Sequence, residues 1–406
     1  GGLDLLIKID ESVANYLIET SNLSREDSII IALNNIAKSR QEGNHVIIGS
    51  VYTLEKIIES KLLDYSAIKT YQNILTKVST LGAYEKEMCD YIVATVIEEF
   101  KKVPKNNGHI FKVPIEFFQS YYKLSKSVLV CENPKDFYFY KSLAEKYLTT
   151  ETNFNLELSF SMSNGGGSTS YQVVEHQLKE ELIVLIIVDS DKRFKDDSFG
   201  STQKEIQKIY NNYEKKSIAS LINLEVREKE NLVSPSLYML SETNSSRRML
   251  KLLCEIETNQ RLVENLKYYD WKDGIKVKNI KNKQFHDYYK NFISFFEPYS
   301  ELAATLHRFE DLKNLGGSDE DNIIPGLGSK LTDRFEQYVL KDGLEKRLDR
   351  IRMKSGMFPK VIKDFEERIQ IKEQLFKNTP DYIKYEQIRI CQKVIAWGCC
   401  EKIFAG

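Results

Sequence analysis

Nothing in this sequence is long and apolar enough to cross a membrane. Its longest apolar run, Leu182 to Val188, is far short of the roughly 18 to 20 residues a spanning helix needs. The opening residues, from Gly1 and Gly2 onward, carry no basic stretch, apolar core or small-residue cleavage site, so no secretory peptide is expected. Cysteine is sparse and unpatterned. Cys89, Cys131, Cys254, Cys391, Cys399 and Cys400 lack the paired spacing of a zinc site, and a chain this long needs no disulfide staples, so a reducing cytoplasm is the simplest setting. His45, His109, His176, His286 and His307 are scattered, none beside a cysteine or carboxylate at a ligand spacing, and structural or surface roles are expected for them. Neither sign of charge is in excess. With a net charge of −1, attraction to nucleic acid has to come from local clusters of lysine and arginine. Internal repeats and low-complexity tracts are also missing.

What remains is an ordinary globular composition, 42% hydrophobic and 29% charged, in 406 residues, enough for two to three units. Three segments are expected. Residues 1–126 read as a mainly helical amino-terminal domain, with Tyr91, Ile92, Thr95, Val96 and Phe100 at helical steps and Pro104 to Asn107 as a turn between helices. His45 to Val51 is the one strand-like exception there. Residues 127–240 read as an α/β domain, and residues 241–406 as mainly helical, with helices over Leu331 to Ile351, Val361 to Phe376 and Tyr382 to Phe404. A lysine-rich strand is expected at Ile275 to Ile280, and a loop rich in glycine and acid from Leu315 to Gly328.

The central segment carries the chemistry. Ser127 to Cys131, Phe154 to Phe160, Leu182 to Val188 and Ile218 to Val226 read as strands. They alternate with helices starting at Pro134, Gln172 and Thr202, and a loop, Asn164-Gly-Gly-Gly-Ser168, lies between. In a parallel sheet, side chains at the carboxyl ends of strands converge on one edge, where open α/β folds place their ligands. Acidic residues fall at three of these ends: Glu132 with Asp136, Asp189 with Asp191, and Glu228 with Glu230. Magnesium takes hard oxygen ligands and keeps several waters, so carboxylates from separate strands suit it.

Glu132-Asn-Pro-Lys-Asp136, a glycine-rich loop and then Asp189-Ser-Asp191 after an apolar strand together resemble the Toprim family over about a quarter of the chain. The resemblance implies a central Toprim-like parallel sheet flanked by mainly helical segments. It also implies that Glu132, Asp189 and Asp191 bind Mg2+ or Mn2+ for phosphodiester chemistry. Arg227-Glu-Lys-Glu-Asn231 looks more like OLD-type and related phage-defence nucleases than like primases, which makes Asp136, Glu228 and Glu230 further ligand candidates and Glu228 and Glu230 catalytic candidates. Where the family has glycine after its first glutamate, this chain has Asn133-Pro134.

The function implied is a metal-dependent endonuclease acting on DNA or RNA, transfer RNA included, in antiviral defence. The alternatives are a nucleic-acid-binding or assembly subunit that holds metal without turnover and, ranked lower, a primase or topoisomerase. OLD proteins carry an ATPase beside Toprim. Gly326-Leu-Gly-Ser-Lys330 lacks Walker spacing, so any ATPase would be a separate protein partner.

Each motif has a plainer reading. Asp-x-Asp after a strand is commonly a turn or helix cap, Asp136 suits the first turn of a helix, and Glu228 with Glu230 suits a solvated strand end. Lys192, Arg193 and Arg227 are candidates to neutralise phosphate oxygens. Lys276, Lys278, Lys281 and Lys283, near Trp271, Tyr288 and Tyr289, form either a basic and aromatic nucleic-acid track or a solvated lysine face. Lys346, Arg347, Arg350 and Arg352 alternate with Glu345 and Asp349, which favours ion pairing along a helix.

Overall fold

The computed structural model describes residues 4–163, 169–241, 246–306, 318–354 and 359–401. The chain is α/β, with parallel strand pairs in two sheets. It divides into two compact units: residues 1–188, 204–222 and 389–406 form one, and residues 189–203 with 223–388 form the other. Among the described residues, no helix is long and apolar enough to cross a membrane. All six cysteines are free.

The first unit opens with a sheet that the helical pattern of residues 1–126 conceals. Strands β1 (Asp4–Ile9), β2 (His45–Gly49), β3 (Tyr91–Thr95), β4 (Lys101–Lys105) and β5 (Gly108–Pro114) lie in the order β2-β1-β3-β5-β4. Every pairing is parallel except that of β4 with β5. Helices are plentiful, as expected, and side-chain caps start three of them: Asp10 accepts from Ser12 N, Asp27 from Ile29 N and Ser50 from Thr53 N.

Two expectations are corrected here. Tyr91–Thr95 is a fully buried strand, not a helix. A short apolar run covered on both faces has no periodicity that distinguishes strand from helix. Pro104 to Asn107 is the end of an edge strand and its hairpin turn, not a link between helices. Lys105 pairs with Gly108 across a two-residue turn in which Asn107 adopts a φ of 60°.

The second sheet follows in the same unit. Strands β6 (Val128–Cys131), β7 (Leu156–Leu158), β8 (Ser161–Met162), β9 (Val184–Val188) and β10 (Ala219–Asn223) alternate with helices Pro134–Glu151, Ser170–Lys179 and Ser201–Tyr213. The order in the sheet is β10-β9-β6-β8, with β6 parallel to both β8 and β9. Val128, Val130, Val184, Ile186 and Val188 bury one face against Val174 and Leu178 of one helix and Ile206 and Tyr210 of another. Of the expected strand at Phe154 to Phe160 only β7 forms, and it lies outside this sheet; the strand beside β6 is β8, which follows it. The glycine-rich loop at 164–168 lies outside the described residues.

Later elements follow in chain order: β11 (Gly274–Lys276), β12 (Asn322–Pro325) and β13 (Cys399–Glu401). The expected strand Ile275 to Ile280 ends at Lys276 and turns into a short helix, Val277–Ile280. The first expected carboxy-terminal helix breaks at Asp342, whose φ is 55°. The last helix runs Asp381–Gly398 and stops short of Phe404, since the chain becomes β13, antiparallel to β7. A Cβ at Gly398 would lie 2.1 Å from the Phe160 ring, so only glycine fits there. Residues 223–388 have their own aromatic core, in which Tyr238 packs on Trp271 at 5.1 Å and on Phe335 at 5.3 Å between ring centroids.

A buried ion pair joins the ends of the first unit's sequence. Asp90, fully buried, accepts from Lys393 Nζ at 2.6 Å, Trp397 Nε1 at 2.8 Å and the His109 backbone N–H at 2.7 Å. Removing one partner strands the other charge away from water. Asp90→Ala is expected to cost about 3–5 kcal/mol, read as a lowered urea midpoint, with part recovered by adding Lys393→Met.

Candidate metal centre

The centre is built by strand pairing. In the parallel pair of β6 and β9, Cys131 lies opposite Ile187, which puts Glu132 and Asp189, the residues leaving these strands, at the same carboxyl edge. Asp191 follows two residues later. One carboxylate oxygen each from Glu132, Asp189 and Asp191 lie within 4.8 Å of one another, and all three residues are half-buried.

Local chemistry fixes the Asp189-Ser-Asp191 turn. The buried Ser190 donates its hydroxyl to Val226 O at 2.7 Å, and the backbone N–H groups of Ser190 and Asp191 both donate to Arg227 O at 3.1 Å. Asp191 sits at a φ of 53°, a left-handed conformation that aspartate tolerates better than most residues. Gly200 closes in behind it. A Cβ there would lie 2.5 Å from Asp191 Oδ2, and the Gly200 N–H donates to Ser190 O at 3.0 Å.

Asn133-Pro134 makes a capped turn. The Asn133 side chain accepts from the Lys135 N–H at 3.0 Å, Pro134 takes the first helical position, and the Asp136 carboxylate accepts from the Asn133 N–H at 3.2 Å. Asp136 therefore serves a capping box and is not in the three-carboxylate group.

Glu228 and Glu230 come together differently from the sequence reading. β10 ends at Asn223, and Lys229–Leu232 forms a 3₁₀ turn, so the two glutamates do not share a strand face. A cation the sequence reading missed unites them: Lys272 Nζ lies 3.1 Å from Glu228 Oε2 and 3.4 Å from Glu230 Oε1. Glu230 is almost wholly buried and its Oε2 has no hydrogen-bond partner. Arg227 reaches Asp270 at 2.9 Å and approaches Glu228 at 3.8 Å. Lys192 lies over the Phe199 ring and Arg193 pairs with Asp197, so both already have contacts of their own.

The electrostatics follow from burial. Desolvation raises the pKa of Asp191, and the nearby Glu228 charge raises it further, against Arg227 and Lys272. Desolvation also raises that of Glu230, against the pull of Lys272. Burial works against the Lys272 ammonium, yet Glu230, Glu228 and Asp189 outweigh it and the pKa goes up. All three groups of the carboxylate set offer hard oxygen donors, and a cation among them would relieve the like-charge repulsion, so the residues fit a divalent metal. Comparison with protein-family models, with curated proteins and with solved structures finds no match.

Two outcomes are expected. Gly200→Ala drives a methyl into the Asp191 carboxylate and should weaken Mn2+ binding at least tenfold in a titration followed by electron paramagnetic resonance, with the far-ultraviolet dichroism unchanged. Lys272→Met leaves two acids without their cation and should cost on the order of 2 kcal/mol in chemical denaturation, most of it recovered by adding Glu230→Gln.

Proposed function

We propose that this chain is a divalent-metal-dependent nuclease with a Toprim-like centre, acting on phosphodiester bonds of DNA or RNA. The observation that carries the reading is the convergence of Glu132 with Asp189 and Asp191, which follow it by 57 and 59 positions in sequence, one oxygen of each within 4.8 Å of the others. Those three residues would hold Mg2+ or Mn2+, which when bound activates a water and stabilises charge on the phosphoryl group. Water adds to phosphorus and gives up a proton to solvent as the P–O bond to the leaving sugar oxygen breaks, and the departing oxygen takes up a proton from solvent.

The chain's own groups have separable roles. Glu132, Asp189 and Asp191 supply negative oxygens. Lys272 pairs with both Glu228 and Glu230, which favours a single ion on the three-carboxylate set over a pair that also recruits the two glutamates. Arg227, beside Glu228, is a cation suited to a phosphate oxygen. The resemblance to OLD-type nucleases adds a setting in phage defence, in the cytoplasm, with a separate ATPase as partner.

Asp189→Asn and Asp191→Asn should each reduce Mg2+- or Mn2+-dependent cleavage of mixed DNA and RNA substrates by at least 100-fold while the urea midpoint stays near that of the parent. Full activity in both would overturn the reading. Tight nucleic-acid binding with no cleavage under either metal would favour the binding-subunit alternative.

A further inference from the structure

A cavity of about 230 Å3 is lined by residues between Arg193 and Tyr289, Arg227 among them. This is below the about 300–1,000 Å3 of pockets that enclose a whole drug-sized ligand, so it suits part of a larger molecule. Arg193, Arg227, Lys276 and Lys278 line it, with Asp270 and Asp273 as the acids. Asp270 is committed internally: it binds Arg227 and accepts from the backbone N–H groups of Lys272 and Asp273 at 3.1 and 2.8 Å. Tyr268, Ile275 and Phe285 add apolar surface, beside Asn279.

Two features indicate that an anion belongs here. Arg227 Nε makes no hydrogen bond and stands 3.8 Å from Glu228 Oε1, in a guanidinium whose other end is fixed on Asp270. A charged donor buried without a hydrogen bond is costly, and a phosphate oxygen closer than the Glu228 carboxylate would satisfy it. In addition, Lys276 and Lys278 share a single carboxylate, Glu320, at 2.9 and 2.6 Å. Glu320 is 60% exposed, and an ion pair so open to solvent is weak, so both ammonium groups can exchange it for a stronger anion. Arg193, 41% exposed, stays held by Asp197 through two hydrogen bonds, at 2.8 and 3.3 Å, and adds its charge to the cavity wall from within that pair.

We infer that this cavity is a subsite for a non-scissile phosphate of a single-stranded nucleic acid, which holds the strand in register while a neighbouring phosphodiester lies at the carboxylates. The inference rests on the nuclease reading for its register but not for its binding. A backbone phosphate binds by charge and by the guanidinium fork, while Tyr268 and Phe285 give its sugar an apolar wall. Lys272 cannot take this role, because Glu228 and Glu230 hold it.

The test is binding of a fluorescent ten-nucleotide single strand in EDTA, measured by anisotropy across a salt series. Arg193→Ala and Lys278→Ala, both at partly exposed positions, are each expected to weaken binding about tenfold and to flatten the salt slope by about 0.7, one phosphate contact on a single strand. Glu320→Gln, which releases two lysines, is expected to tighten binding, an effect that a purely structural role for the lysines would not produce. Unchanged affinity and slope in all three variants overturn the subsite. So does displacement by millimolar inorganic phosphate or a mononucleotide with no dependence of oligonucleotide binding on these residues, which would mark a site for a free small anion. Mn2+ titration of the same variants keeps the two readings apart. If the subsite fails, Mn2+ binding and cleavage still stand on Asp189 and Asp191; if cleavage fails, strand binding still reports the cavity.

Discussion

Everything at the candidate centre depends on β6 and β9 running side by side in the same direction. Parallel neighbours end at one edge of a sheet, and the pairing of Cys131 with Ile187 brings Glu132 level with the start of the Asp189 turn. The hydrophobic face beneath supplies the reason for the pairing. Val128, Val130, Val184, Ile186 and Val188 alternate into one core, and a slip of one residue would turn each of them out of it. Apolar packing thus sets the position of the acids to within a residue, although none of the acids contributes to that packing.

Gathering acids in this way has a cost that the surroundings must offset. Two ionised carboxylates at such distances repel by on the order of 3–4 kcal/mol near a protein surface, and half-burial adds desolvation. The raised pKa of Asp191 registers the desolvation, with a further rise from the Glu228 and Asp270 charges. Nearby, the same problem is solved with a covalently attached cation, Lys272, whose ammonium lies between Glu228 and Glu230. A divalent ion at Glu132, Asp189 and Asp191 would bring to that set the positive charge that Lys272 brings to Glu228 and Glu230.

The sequence made some of this legible and concealed the rest for identifiable reasons. Leu182 to Val188 reads as a strand because it is apolar, β-branched and ends on acid, and β9 lies there. Tyr91–Thr95 has similar composition but is preceded by a helical stretch, and with both faces buried it offers no period to distinguish it. Asp136 reads equally well as a ligand or a cap, and the capping hydrogen bond to Asn133 is visible only in three dimensions. Lys272 could not be found from sequence at all. It is 42 to 44 residues from its partners, in a turn whose tight backbone requires Gly274 at a φ of 73° and Gly326 against Lys272 O, positions that read only as loop glycines.

Arg227 shows how closely the two kinds of chemistry are coupled. Its backbone carbonyl accepts from the N–H groups of Ser190 and Asp191, and so shapes the turn that carries the acids. Its side chain is fixed on Asp270 and lines the basic cavity. A single residue therefore sets the Asp191 backbone by one group and presents a cation by another. Because Asp270 also organises the turn holding Lys272, movement of Arg227 would disturb the acidic turn, the Lys272 cation and the cavity together. The guanidinium and the carboxylate turn are thus tied through one residue's backbone, which fixes the cavity wall and the acids in one rigid local frame.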